Sequence, residues 1–285
     1  MIRKILVPVR GDGKGENVLA HASVMARRYG AHIDVVHCRP KPDEAPSFGR
    51  PLPRFLREQL AESAAGVADA EEEKLHRDFD RIAGDLKLPI GQRPDGPGPS
   101  ASWIEEVGKQ ADVLKRRGRL ADLIVVAKPD RDRNLGVNSL VAAIFHTGRP
   151  VMMVPPREER PAALGERVTL AWNGSLEAAR AVALTLDVLV NAAAVTVLTV
   201  EGRDAKGASP EDLRDYLAVR GIAAAFETLT AEGGVGAALL RRSAELGADL
   251  MIMGAYSASH EREAIFGGNS QVIVDKAGLP IIFVH

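Results

Sequence analysis

Short apolar runs, each leading into a turn and then a stretch with helical spacing, recur along the chain. The run Ile5–Val9 ends in the turn Arg10-Gly11-Asp12-Gly13-Lys14-Gly15. Val18, Leu19, Ala22, Val24 and Met25 then follow at helical spacing up to Tyr29-Gly30, where glycine supplies a stop. Ile33–Cys38 reads as a second strand, and the proline- and charge-rich residues 39–53 as a loop. From 53 to about 85 the spacing predicts a helix, with Phe55, Leu56, Leu60, Val67, Leu75, Phe79 and Ile82 available for one face. A polar stretch at 86–100 predicts an exposed connection. A weak strand at 102–107, a basic helix at 109–120, a strongly apolar strand at 122–127, a helix near 137–147 and a strand at 150–154 complete this half.

Residues 155–165 are rich in proline and charge, as an interdomain linker would be. The order then starts again. Arg167–Ser175 mirrors Lys4–Gly11 and leads into an alanine-rich helix, and Ala194–Val200 mirrors the second strand. Helix patterns near 210–219 and 234–246 flank a strand at 223–229. Ala248–Met253 matches Ala121–Val126 nearly position for position, and Pro280–Val284 matches Pro150–Val154. The chain is an internal duplication, divided at 1–155 and 166–285. Runs such as Leu123-Ile124-Val125-Val126 lack polar alternation, so both strand faces should be covered. That predicts an α/β fold with parallel strands between helical layers. Ligands in such sheets lie beyond the carboxyl ends of the strands, where strand order reverses, which points to the loops at 173–175 and 254–270. The matching last strands would hide both their edges by docking antiparallel.

Composition narrows the classes. The 285 residues are 46% apolar, with mean hydropathy near zero and a formal charge of −1. Near-neutrality argues against a nucleic-acid footprint. No stretch approaches the roughly 20 apolar residues of a membrane span, so no membrane partner is expected. The opening residues read as the first strand rather than a leader. Cys38 is the single cysteine, which permits no internal disulfide and fits a reducing compartment. Together these readings lead us to expect a cytoplasmic protein.

The stretch Met251–Ser257, continued through Gly267-Gly268-Asn269-Ser270 into Gln271-Val272-Ile273-Val274, combines a strand, glycine turns and a helix start. Free backbone N–H groups and the helix dipole favour an anion in such a place. Here the chain resembles the universal stress protein family, as two family domains in tandem. ATP-binding members carry Gly, two residues, Gly, nine residues, then Gly with Ser or Thr. Gly254, Ser257 and Gly267 keep that spacing, but the second glycine is Ser257 and the hydroxyl position is Gly268, while Ser270 matches a hydroxyl residue common two positions on. Asn173 aligns with the family's nucleoside-contacting acidic residue, and Val200 with a position lining the adenine pocket. The resemblance implies two Rossmann-like domains, each a five-stranded parallel sheet sandwiched by helices, and an internal pseudo-dimer, with a homodimer and a protein partner of unknown identity beyond it. It implies ATP or AMP, with Mg²⁺, in the second half. The residues that would form that nucleotide site are Trp172, Asn173, Gly174, Val200, Met253, Gly254, Ser257, Gly267, Gly268, Asn269 and Ser270. In the first half Arg10 replaces the acidic residue, and Ala127-Lys128-Pro129 replaces the glycine scaffold, which suits a phosphate nest poorly.

Magnitudes set the expected strength. Serine at a position needing positive φ costs about 1–2 kcal/mol, and a lost hydroxyl–phosphate bond at Gly268 roughly 1.5–3 kcal/mol. Affinity would fall on the order of a hundred- to a few-thousand-fold, less if Ser270 substitutes. Against weak nucleotide binding stands the reading that these glycines are only caps and turns, and the protein a scaffold without nucleotide. Trp172 either stacks on a base or plugs the pocket.

Other chemistry is poorly supported. The turn at Arg10–Gly15 is neither a P-loop nor a dinucleotide fingerprint. His32 and His37 fall on opposite strand faces, which argues against a shared metal. No Gly-x-Ser-x-Gly elbow occurs, and His260-Glu261-Arg262-Glu263 reads as a solvated charge run, although Arg262 could pair with a phosphate. We therefore expect a non-catalytic protein.

Overall fold

The computed structural model describes residues 1–10, 13–39, 54–91, 98–130, 132–133, 135–156, 160–202, 207–255 and 269–285, with only the helical backbone given for 54–68 and 269. The first half comprises β1 (Lys4–Val9), α1 (Gly15–Tyr29), β2 (His32–Arg39), α2 (Arg54–Asp85), β3 (Ser100–Val107), α3 (Gln110–Arg117), β4 (Leu123–Ala127), α4 (Val137–His146) and β5 (Val151–Val154). The second comprises β6 (Arg167–Ala171), α5 (Leu176–Leu184), α6 (Leu186–Asn191), β7 (Ala194–Val200), α7 (Pro210–Ala218), β8 (Ala224–Leu229), α8 (Val235–Glu245), β9 (Leu250–Gly254), α9 (Asn269–Lys276) and β10 (Ile281–Val284).

Within each half the strands pair in parallel, and the two halves share one ten-stranded sheet of order β3-β2-β1-β4-β5-β10-β9-β6-β7-β8. The uninterrupted apolar runs have the cause expected. Leu123 and Val125 enter one core, with Leu19, Phe79, Val182, Leu189 and Leu213 of the helices above them. Ile124 and Val126 enter the other, with Val113, Leu140, Leu239 and Ile273 below. A parallel strand covered on both faces cannot alternate.

The halves meet where the sequence suggests. β10 pairs antiparallel with β5, setting Ile281 opposite Met153, Ile282 opposite Met152 and Phe283 opposite Val151. Around this seam, Asn17 Nδ2 donates to the Pro155 carbonyl at 2.9 Å, and Arg160 reaches Glu16 at 2.8 Å. Arg28 pairs with Glu166 and donates to the Asn191 carbonyl.

The repeated Ala-Asp-Leu sequence also acquires a physical meaning. Asp122 accepts from the backbone N–H groups of Arg3 and Lys4 at 2.8 and 2.9 Å. Asp249 accepts from those of Gly165, Glu166 and Arg167 at 2.7, 3.0 and 3.2 Å. Each carboxylate fixes the chain entering the first strand of its own half.

Two details differ from the sequence reading. The single alanine-rich helix is two, α5 and α6, meeting at Thr185. That hydroxyl donates to the Ala181 carbonyl at 2.6 Å, a back-bond of the kind that bends helices. The connection after α2 is not wholly exposed either: Leu86 and Leu88 are buried, and Ile90 bridges to Ala101 beside β3.

Candidate functional site

Strand order reverses between β6 and β9, whose following segments belong to opposite helical layers. The ends of these strands form the crevice at which α/β sheets hold ligands. Its first wall is the β6–α5 turn. Asn173 is exposed, its Oδ1 accepting from Ser175 N–H at 3.1 Å. Ser175 caps α5, its hydroxyl oxygen accepting from Ala178 N–H at 3.2 Å. The α5 N-terminus thus meets part of its own donor demand.

The second wall is the end of β9. Gly254 has a packing reason to be glycine: a β-carbon there would stand 2.5 Å from Ala178 N and 2.6 Å from the Glu177 carbonyl carbon. The first turn of α5 therefore lies directly on the end of β9. Next among the described residues comes α9, from Asn269, with Ser270 half-buried and no acidic residue in its first turn. In general, the N-terminal end of a helix favours an anion through the N–H groups that its own turns leave without a partner.

The proposed residues divide between the two faces of the sheet. Trp172 is 6% exposed and belongs to the core that contains Ala178, Val197 and Ile252. Its Nε1 has no partner among the described residues. Its ring packs in the protein interior, leaving no open face toward a base. Met253 and Val200 lie with the other core, toward α8 and α9. Gly174 is buried, and a β-carbon on Gly207 would run into its carbonyl oxygen, so the segment entering α7 lies against this turn. Only glycine at 207 allows that approach. Ser257, Gly267 and Gly268 fall outside the described residues, as does the side chain of Asn269; His260–Glu263 fall there too.

The corresponding crevice of the first half is filled by its own side chains. The Arg10 guanidinium lies against Gly136, immediately before α4. Lys14 pairs with Asp130 at 3.3 Å, and Asp130 and Leu135 exchange backbone hydrogen bonds at 2.8 and 2.9 Å. Gln110 donates to the Val9 carbonyl at 2.9 Å and accepts from Ser139 at 2.6 Å. Sequence reading noted the substitutions here but not that they interlock. The signal for it was Arg10, a basic residue whose repeat counterpart is the neutral Asn173.

Neither histidine nor cysteine chemistry gains support. His32 is buried between Ser100 and Ser102, at 2.8 and 3.1 Å, whereas His37 stacks on Trp103 at 5.8 Å on the opposite face. Burial pushes the Cys38 thiol up to about 11, away from nucleophilic use. No cluster of three or more His, Cys, Asp or Glu able to hold a metal ion occurs among the described residues, and none of their helices is long and apolar enough to cross a membrane.

Comparison with known proteins agrees with this architecture. The model of the universal stress protein family matches residues 1–155. A universal stress protein from Archaeoglobus fulgidus is similar at 16% identity over 99% of this chain and 95% of its own, with a TM-score of 0.71. A functionally unknown protein from Pseudomonas aeruginosa PAO1 is similar at 16% identity over 99% of this chain and 92% of its own, with a TM-score of 0.56. The cytoplasmic domain of a prokaryotic cation chloride cotransporter has the same layout at 12% identity, over 99% of this chain and 95% of its own, with a TM-score of 0.51. At these identities the likeness is one of fold. No curated protein matches the chain.

Proposed function

Because the chain belongs to the universal stress protein family, we propose that it is a non-catalytic stress-response protein whose second half alone binds ATP or AMP, weakly. The domains are 1–155 and 166–285. The observation supporting this assignment is the occupancy of the first crevice by its own side chains, Arg10, Lys14 and Asp130; the first turns of α4 and α9 alike carry no carboxylate. An anion is favoured where backbone N–H groups and a helix dipole converge without a competing negative charge.

In this reading Asn173 meets the nucleoside, Val200 and Met253 line its apolar side, and Ser270 with Gly267 and Gly268 meets the phosphates. Trp172 supports the β6 end from within the core rather than stacking. The donors fit a phosphate better than a bare cation, since Asn173 and Ser270 are neutral. Mg²⁺ would enter with the phosphates, screening their charge.

A scaffold without nucleotide is the second reading, and the Gly207 contact on Gly174 favours it by narrowing the same crevice. Isothermal calorimetry of the full chain with ATP and AMP separates them. One weak site per chain, lost in Gly267→Trp, supports the proposal. No heat at millimolar ligand refutes it in favour of the scaffold, and two sites per chain refute the assignment to one half.

A further inference from the structure

Lys128 follows β4 in the first half, yet its ammonium donates to the Ala277 carbonyl at the end of α9 in the second, at 3.1 Å. It is half-buried, with Asp275 of α9 among the charges acting on it. The last carbonyls of a helix have no partner within it, and a cation there satisfies one while opposing the negative end of the dipole. α9 has eight residues, from Asn269 to Lys276. A helix that short has little stability of its own. Ile273, Val274 and Ala277 seat it in the core, and Lys128 ties its end to the neighbouring half.

Among the described residues this hydrogen bond has no counterpart at the end of α4, where the second half instead packs the His285 ring edge-on against Phe145 at 4.7 Å. The residue matching Lys128 in the second half is Ala255, which is buried and donates its N–H to the Val284 carbonyl. At the end of α4, Thr147 is bonded within its own helix, its hydroxyl donating to the Ala143 carbonyl at 2.6 Å. We propose that Lys128 is a positioning residue for the second-half site, a brace from the degenerate half that holds α9 and thereby sets the N-terminal amides facing the anion. This role rests on the nucleotide reading above, and its test keeps the two apart.

The variants are Lys128→Met, which keeps the length of the stem, and Lys128→Arg, which keeps the charge. Both are checked for native circular dichroism. In the unliganded full chain, amide exchange over Ile273–Ala277 should quicken in K128M and return toward wild type in K128R. Calorimetry with adenosine, AMP and ATP provides the second readout. K128M should weaken ATP binding about two- to fivefold, AMP by less, and adenosine not at all. An equal loss for all three ligands marks general damage to the fold and overturns the positioning role. Unchanged exchange overturns the brace. A wild-type chain that takes up none of the three overturns the nucleotide reading and this role with it. Normal wild-type binding that K128M leaves intact overturns the role alone.

Discussion

Replacing Gly254 by alanine tests whether the first glycine of the loop is set by packing. An added β-carbon would stand 2.5 Å from Ala178 N, 2.6 Å from the Glu177 carbonyl carbon and 2.9 Å from Glu177 Cβ. Two of these are backbone atoms of α5, which cannot swing aside as a side-chain tip can. Helix and strand end must part by about 1 Å to restore ordinary carbon contact. Overpacking of this kind costs about 1–3 kcal/mol. If the movement also breaks the bond from Ala178 N–H to Ser175, loss of the cap adds roughly 1 kcal/mol. At about 2–4 °C per kcal/mol for a chain of this size, G254A should melt several degrees below wild type in ligand-free buffer. The control is Ala127→Gly at the matching position of the first half. It introduces no collision and costs only the roughly 1 kcal/mol that a flexible residue brings. Thermal and urea unfolding followed by circular dichroism measure both. A G254A midpoint at or above that of wild type, or a loss smaller than that of A127G, would falsify the packing argument.

Two further substitutions probe the rest of the frame. Asp249→Ala removes an acceptor serving three backbone N–H groups and Asp122→Ala one serving two. After allowance for partial exposure, urea unfolding should show losses of about 2–4 and about 1–3 kcal/mol; a reversed order contradicts the bond count. Asp34 concerns acid stability. Burial raises its pKa, but hydrogen bonds with His32 and Lys4 outweigh that and hold it below the ordinary 3.8. Its contribution is complete above that value and is lost as pH falls through the lower folded pKa. As pH falls below about 4, wild type should therefore lose stability more steeply than Asp34→Asn. Parallel curves for the two proteins would show that the contacts of Asp34 contribute nothing.

The duplication, the parallel sheet and the pairing of the last strands were legible in the sequence because each rests on local pattern. Leu123–Val126 and Leu250–Met253 show burial on both faces directly, and the matching Ala-Asp pairs mark equivalent strand starts. The crevice was legible only in outline. That Trp172 turns into the core follows from its alternation along β6, which a motif alignment ignores. The contact of Gly207 with Gly174 joins segments whose meeting no periodicity announces. The same holds for Arg10 against Gly136 and for Lys128 at Ala277. Charges at such points look like ordinary surface residues until the fold brings their partners in.

The antiparallel seam between β5 and β10 has a consequence for how the two crevices can diverge. When identical chains form a two-fold pair, every substitution appears twice, and a change that braces a neighbour must also be tolerated in the position of the braced. Here the neighbour is encoded separately and is present at any dilution. Lys128 can give up one crevice to steady the other without a second lysine intruding at Ala255. The covalent link thus frees the halves from symmetry, so that one can serve as support for its twin.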